Sequence, residues 1–235
     1  MAHSMDSPVE RRVATTALAG LSSLAELPAS VLDRLADALK TQRFDKGAAI
    51  VRHNDDSRDF YLIISGAVRV SLVGSTGRSL TYQILPAGEM FGEVSAVDGD
   101  GRSANVIAEE ESVLGSLSSQ AFMDLARTSP DFALVILKRL ARLNRRLTSR
   151  LFEYHTYDVR GRVYLELLRL TETSADSPIT ITDRDMASRV GTTRENVSRI
   201  HGKLRDAGLI IRDKSRLTVA DRPGLEALLS DCEFG

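Results

Sequence analysis

Arg194, Glu195 and Arg199 lie in the run Gly191-Thr-Thr-Arg-Glu-Asn-Val-Ser-Arg199 and have the types and spacing to read base pairs. Val197, Ile200 and Leu204 recur at i, i+3 and i+7, which predicts a helix with one apolar face turned inward. The two arginines and the glutamate then fall on the opposite face. Arginine pairs bidentately with guanine O6 and N7, and glutamate accepts from cytosine N4. Contacts of that kind read sequence, whereas contacts to phosphate only position the protein. Thr192-x-x-Glu195 also spells a capping box, which would engage Glu195 in its own helix.

A second group sits upstream in Phe91-Gly92-Glu93-Val94-Ser95-Ala96-Val97, followed by Gly99-Asp100-Gly101-Arg102-Ser103-Ala104. A buried Arg102 needs an anion or a carboxylate. Gly92 allows close backbone approach. Glu93 can accept from ribose hydroxyls, and Ser103 can donate its hydroxyl and N–H to phosphate oxygens. These residues could together hold a sugar and a phosphate, or Glu93 and Arg102 could form a plain ion pair closing a β-loop.

The elements that position these groups follow from pattern. From about Leu18 to Leu39 the chain reads as short helices, with Ser30 as N-cap of the last. Between Gln42 and Gln120, β-rich runs (Ala49 to Arg52, Phe60 to Ile64, Ala67 to Val73, Leu80 to Leu85, Ala104 to Ala108, Ser112 to Ser116) alternate with glycine turns, which predicts a small β-sandwich or barrel. Ser129-Pro130-Asp131 starts a long helix reaching about Tyr157. Ala133, Leu137, Leu140, Asn144, Leu147, Leu151 and Tyr154 follow one another at spacings of four and three, the heptad seam of a two-stranded dimer; Ile136 and Leu143 widen the stripe, so a mixture is expected in which some of these leucines pack on their own β-domain. Lys138, Arg139, Arg142, Arg145, Arg146 and Arg150 read as the solvated side of that helix. Asp158 to Arg162 reads as a hinge. Beyond it come a helix over Val163 to Leu170, a polar loop over Glu172 to Ser177, the two helices around Gly191, a Gly208 stop, a hairpin turning at Asp213-Lys214-Ser215, and a last helix over Gly224 to Leu229.

The 235 residues are 43% hydrophobic and 27% charged, an ordinary globular balance with room for two domains. The net charge of -1 means that any nucleic-acid site must be a local cluster. Such a cluster exists between Arg189 and Arg216. Arg189, Arg194, Arg199, Lys203, Arg205, Arg212, Lys214 and Arg216 stand there against Glu195, Asp206 and Asp213. The single cysteine, Cys232, rules out an intrachain disulfide, a cysteine zinc site and a cysteine-held iron–sulfur cluster. No apolar run approaches a membrane span and no secretory h-region is present, so a cytoplasmic protein without membrane contact is expected. The four histidines make no nucleophile–base–orienter series or metal cluster, so no enzyme activity is expected.

Phe-Gly-Glu with an Arg nine residues after the Glu resembles the phosphate-binding cassette of cyclic-nucleotide-binding domains. Lys46-Gly47, Ile50, Asp55, Tyr61-Leu62-Ile63 and Gly66-Ala67-Val68-Arg69-Val70 resemble the rest of that β-roll, with Asn54 where the family usually has glycine. A β-roll, a long helix, Asp-Val-x-Gly-Arg at Asp158 to Arg162 and a winged helix-turn-helix, in that order, resemble the Crp–Fnr regulators. Within that family, Arg194-Glu195-Asn196-Val197-Ser198-Arg199 is similar to the cyclic-AMP receptor protein branch.

The resemblance implies an α+β chain in three parts: a jelly-roll-like cyclic-nucleotide-binding β-roll with flanking helices over 18–128, a dimerisation helix over 129–157, and a winged helix-turn-helix over 158–235. It implies a homodimer joined at Leu137, Leu140, Asn144, Leu147 and Leu151. Cyclic nucleotide would be held by Gly92, Glu93, Val94, Arg102 and Ser103, with Leu147 and Thr148 at the purine. DNA would be read by Thr193, Arg194, Glu195, Ser198 and Arg199 at TGTGA-like half-sites with an inverted TCACA, and RNA polymerase met near Glu172 to Ser177. The family usually has two hydroxyl residues at the purine, and here the first is Leu147. The Thr148 hydroxyl can accept from an adenine amine or donate to a guanine carbonyl, and Ser103 could reach a guanine amine of a syn base, so cyclic AMP and cyclic GMP both stay open. A family regulator that binds DNA without a cyclic nucleotide, or senses another small molecule, is the alternative.

Overall fold

A computed structural model describes residues 18–74, 79–173 and 178–232. Within it the chain divides into two compact units, residues 18–72 with 82–143, and residues 73–74 and 79–81 with 144–232. In the first, α1 (Ala29–Ala38) precedes eight strands: β1 (Lys40–Phe44), β2 (Ala49–Val51), β3 (Phe60–Ser65), β4 (Ala67–Val73), β5 (Ser79–Pro86), β6 (Met90–Phe91), β7 (Asn105–Ala108) and β8 (Ser112–Leu117). A short helix, α2 (Glu93–Asp98), interrupts them between β6 and β7. One sheet has the order β1-β8-β3-β6 and the other β2-β7-β4-β5. Strand alternation supplies the core between them. Val68 and Val70 of β4, Val106 of β7 and Ile63 and Leu114 of the facing sheet are all buried.

Two helices follow, α3 (Ser119–Thr128), capped by Ser118 Oγ, and α4 (Pro130–Thr156). Phe60 of β3, Phe122 of α3 and Phe132 of α4 meet with ring centroids 5.0, 6.5 and 5.5 Å apart, and all three are fully buried. Tilted and edge-on aromatic pairs contribute about 0.5–1.5 kcal/mol each beyond burial. This cluster fixes the start of the long helix against the β-roll. Val135, Ile136 and Arg139 continue the same inward face.

The long helix corrects one expectation. Arg139 is 3% exposed, so it is not on the solvated side. The inward face recurs at 132, 135, 136 and 139, the ordinary 3.6-residue period, and carries Arg139 with it. The leucine seam splits for the same reason. Ile136 turns inward, Leu140 packs partly on the core, and Leu137, Leu147 and Leu151 stand out at 62%, 47% and 72% exposure. Asn144 is also exposed. In α1, Ser30 lies inside the first turn, because Pro28 is the N-cap and the helix begins at Ala29.

In the second unit, α5 (Val159–Thr173) starts directly after Asp158, whose Oδ1 accepts from Gly161 N–H at 2.9 Å. The break before it is therefore two residues long, Tyr157 and Asp158, and Gly161 and Arg162 belong to the helix. Arg162 closes the joint. Its Nη1 donates to the Tyr157 carbonyl at 2.9 Å, its Nε donates to the Val190 carbonyl at 3.2 Å, and its guanidinium lies 4.7 Å from the Tyr154 ring centroid. Tyr154 is thus part of this joint. There follow β9 (Ile179–Thr180), α6 (Asp183–Val190), α7 (Arg194–Asp206), β10 (Ile210–Asp213), β11 (Arg216–Val219) and α8 (Arg222–Ser230). The sheet order β10-β11-β9 makes the wing, turned at Lys214 with φ 54°. Residues 174–177 of the polar loop lie outside the described residues; Glu172 and Thr173 are helical.

Glu166 sits at the centre of this unit, 1% exposed, and gathers Arg150 from α4 (3.0 Å), Arg169 from its own helix (2.8 Å) and Arg189 from α6 (3.0 Å). Arg169 also reaches Glu153 of α4 at 2.6 Å. Arg150 is thus half-buried and paired rather than solvated, and Arg189 drops out of the basic cluster available to DNA.

Candidate functional site

Phe91 ends β6, and Gly92 then takes φ +85° before α2 begins at Glu93. A Cβ at Gly92 would lie 2.6 Å from the Asp59 carbonyl oxygen and 2.8 Å from Nη1 of Arg102. The glycine is therefore needed for its left-handed backbone and also for the room it leaves to the arginine. Gly92, Glu93, Val94, Arg102 and Ser103, the expected ligand residues of the β-roll, all line one cavity of about 60 Å³, together with Gln83, Arg139 and Leu143.

Arg102 is 3% exposed. Its Nε donates to Ser57 Oγ at 3.0 Å, and its guanidinium carbon lies 5.6 Å from the centroid of Tyr61. Tyr61 is stacked on Phe91 at 4.8 Å, across a register pair of β3 and β6. Backbone bonds from Asn54 N–H to the Arg102 carbonyl and from Arg102 N–H to the Asp55 carbonyl fix the main chain. Asn54 has φ 66°, the left-handed conformation that asparagine tolerates. Nη1 and Nη2 of Arg102 are buried and have no hydrogen-bond partner among the described residues. Burial pushes the Arg102 guanidinium below its ordinary value, opposed by nearby Tyr61, Asp59 and Asp55.

Glu93 does not pair with Arg102. Its carboxylate faces Arg139, with Oε1 3.3 Å from Nε. The plain ion-pair reading of Glu93 and Arg102 is thereby set aside, because a different arginine has taken the carboxylate. Burial pushes the Glu93 carboxyl above its ordinary value, against the pull of Arg139. Leu147 and Thr148 do not line the cavity; both are exposed, one turn beyond Leu143. Ser57, Tyr61 and Arg139 are site residues that sequence reasoning passed over.

In the second unit, Thr193 is the N-cap of α7, its hydroxyl accepting from Asn196 N–H. Val197, Ile200 and Leu204 are buried as the periodicity requires. Arg194, Glu195, Ser198 and Arg199 are exposed together on the other face. The cap falls at Thr193 and not Thr192, which puts Glu195 one place short of the capping-box position. Its own backbone N–H and the Thr193 hydroxyl nonetheless hold the Glu195 carboxyl below its ordinary value. Asn196 receives the Arg199 guanidinium on Oδ1 at 2.7 Å and donates to Thr192 Oγ1 at 3.1 Å, so it sets the direction of Arg199.

A cleft of about 650 Å³ lies between α7, the start of α6 and the wing, lined among others by Arg184, Arg194, Ser198, Arg205, Arg212 and Lys214. At its base Asp183, His201 and Arg212 are mutually bonded, with Asp183 Oδ1 2.8 Å from His201 Nδ1. Arg212 is thus partly spent on Asp183. Burial pushes the His201 imidazole below its ordinary value.

Residues 41–129 match the family model of the cyclic nucleotide-binding domain, and residues 161–228 that of the Crp-like helix-turn-helix domain. The cyclic AMP receptor protein of Thermus thermophilus is 30% identical over 196 residues, covering 82% of this chain and 87% of that protein. The chain belongs to the Crp–Fnr family of transcription regulators. The cAMP-activated global transcriptional regulator Vfr of Pseudomonas aeruginosa is 27% identical over 202 residues, covering 81% of this chain and 94% of that protein. A solved transcriptional regulator of the CRP family from T. thermophilus is 26% identical with a TM-score of 0.67, covering 80% of this chain and 96% of that one. As a Crp–Fnr regulator the chain is a DNA-binding protein with a cyclic-nucleotide-binding domain. Among the described residues no helix is long and apolar enough to cross a membrane.

Proposed function

We propose that this Crp–Fnr regulator is switched by a cyclic purine nucleotide, cyclic AMP or cyclic GMP, and binds inverted TGTGA-like half-sites as a homodimer. The observation that carries the reading is Arg102. A buried guanidinium with both terminal nitrogens unpartnered is a costly arrangement unless an anion completes it. The cyclic phosphodiester supplies one negative charge there, and its two exocyclic oxygens suit bidentate pairing with the planar guanidinium. Glu93, in the same cavity, accepts from the ribose 2′-hydroxyl, and Ser103 adds a donor at the rim.

The exposed leucines 137, 147 and 151 support a second copy as the partner of the long helix, with Leu140 and Asn144 in the same seam. Leu147 and Thr148, outside the cavity of one chain, meet the purine in the dimer, one from each subunit. In each recognition helix Arg194 and Arg199 pair with guanines and Glu195 with a cytosine, while Thr193 and Ser198 contact the backbone. Nucleotide entry reorients the long helices so that the two recognition helices fit successive major grooves. RNA polymerase is met through the segment near 172–177.

Calorimetric titration with cyclic AMP and cyclic GMP side by side tests the ligand. Saturable binding of either, lost in Arg102→Ala, is expected. Absence of binding by both nucleotides would leave a family regulator with another effector.

A further inference from the structure

Arg139 comes from the middle of α4, yet its three kinds of nitrogen reach three acceptors around the pocket. Nη1 donates to Glu89 Oε2 at 2.9 Å, Nη2 donates to the Met90 carbonyl at 2.9 Å, and Nε lies 3.3 Å from Glu93 Oε1. Glu89 and Met90 sit just before Gly92, and Glu93 just after it. One side chain therefore grips both ends of the segment that shapes the cavity. Packing alone does not call for it. Its neighbours on the inward face are Phe132, Val135 and Ile136, and an aliphatic residue would fill the place without desolvating a charge. A lysine would reach one or two of the acceptors but lacks the planar fork that meets all three.

The Glu93 contact is the least settled of the three. Nε of Arg139 is buried and makes no hydrogen bond among the described residues, so the pair is held by charge without a directed bond. Glu93 and Arg139 both line the cavity. A hydroxyl entering that cavity and donating to Glu93 competes directly with Arg139 for the same carboxylate.

We propose that Arg139 is the positioning residue that links occupancy of the pocket to the long helix. Its Nε faces Glu93, and a ligand sugar hydroxyl that takes up Glu93 releases Nε and shifts the grip of Arg139 toward Glu89 and the Met90 carbonyl. Because Arg139 is rigidly part of α4, that exchange changes the forces on the helix at one defined place. The same unbroken helix carries Arg150 and Glu153, which are paired with Glu166 and Arg169 beyond the division between the two units. This inference rests on the cyclic-nucleotide reading of the pocket.

The test is the ratio of DNA affinities without and with saturating nucleotide, measured on the full-length protein for wild type and Arg139→Lys. Saturation removes any change in nucleotide affinity from the comparison. Couplings between sites typically span about 5–150-fold, and the variant is expected to lose most of that ratio, roughly tenfold, while keeping a positive charge beside Glu93. A purely structural role for Arg139 would lower the melting temperature and leave the ratio intact, and that result overturns the proposal. If Arg139→Lys does not fold, Glu89→Ala removes one anchor of the grip from the partly exposed side. A reduced ratio supports the proposal and an unchanged one overturns it. Failure of wild type to bind either nucleotide is a separate outcome, which removes the functional reading and this inference together.

Discussion

Nη1 of Arg102 occupies the space that a side chain at Gly92 would need, 2.8 Å from the position of the missing Cβ. The two residues are bound to one another by exclusion: the arginine can be buried in the cavity wall only because the turn before α2 carries no side chain. Gly92→Ala should therefore displace the guanidinium and strain the backbone, the left-handed conformation alone costing about 1–2 kcal/mol. Calorimetry should register loss of nucleotide binding, and a melting curve should register the strain. Wild-type affinity in this variant would contradict the assignment of Arg102 to the ligand.

Arg102→Leu separates ligand binding from stability. In the empty protein the substitution removes a buried charge whose terminal nitrogens are unpartnered, so the melting temperature should hold or rise. Nucleotide should stabilise wild type by about 2.7 kcal/mol at a hundredfold excess over Kd and leave the variant unmoved. A thermal-shift series with both proteins checks this, and equal shifts would contradict it.

Glu166 gives a pH dependence with a definite sign. Burial pushes its carboxyl up, but Arg150, Arg189 and Arg169 outweigh burial and hold it below the ordinary 4.5. A folded-state value depressed in this way contributes stability above the unfolded value, and that contribution is lost as pH falls through the folded one. Glu166→Gln should cost about 3–5 kcal/mol at neutral pH, as breaking a buried ion network does. It should also flatten the fall in stability below about pH 4.5. Chemical denaturation at pH 7 and pH 4 measures both effects, and an unchanged acid limb in the variant would place the titrating group elsewhere.

Much of this architecture can be read directly from residue pattern, and the exceptions share a cause. The recognition helix is legible because Val197, Ile200 and Leu204 keep the helical period, Thr193 caps the start, and Gly208 (φ 74°) stops the end. The pocket loop is legible through Gly92, Glu93 and Arg102. Strand β1 is not, because its Lys-Thr-Gln-Arg-Phe has no alternation and lies at the edge of its sheet, paired with β8 alone. Arg139 is hidden in a run of basic residues along α4, and only the packing of Phe132 against Phe60 and Phe122 shows which of them faces inward. Arg189 and Arg212 count as DNA-facing charges until Glu166 and Asp183 claim them.

The exposed seam of α4 predicts an oligomer. Leu137 and Leu151, 62% and 72% exposed in one chain, should be buried between two. Leu137→Glu with Leu151→Glu should give a folded monomer by sedimentation velocity at micromolar concentration, with weakened DNA binding. A dimer that survives both changes would move the interface off this helix.

Base reading by the recognition helix predicts specific losses. Arg194→Ala should cost about 1–3 kcal/mol on a TGTGA half-site and relax preference at one guanine. Asn196→Ala should act through Arg199, which it orients at 2.7 Å, and weaken discrimination without altering the salt dependence. A loss from Arg194→Ala that is equal on every sequence would mark it as a phosphate contact.

The central claim is that an anion on Arg102 controls the recognition helices. Fluorescence anisotropy of a duplex carrying inverted TGTGA-type half-sites, titrated with wild type and Arg102→Leu with and without cyclic AMP or cyclic GMP, tests it most directly. The expected result is tight, sequence-specific binding by wild type only with nucleotide, and none of that gain in the variant. Equal DNA affinity of wild type with and without either nucleotide would contradict it.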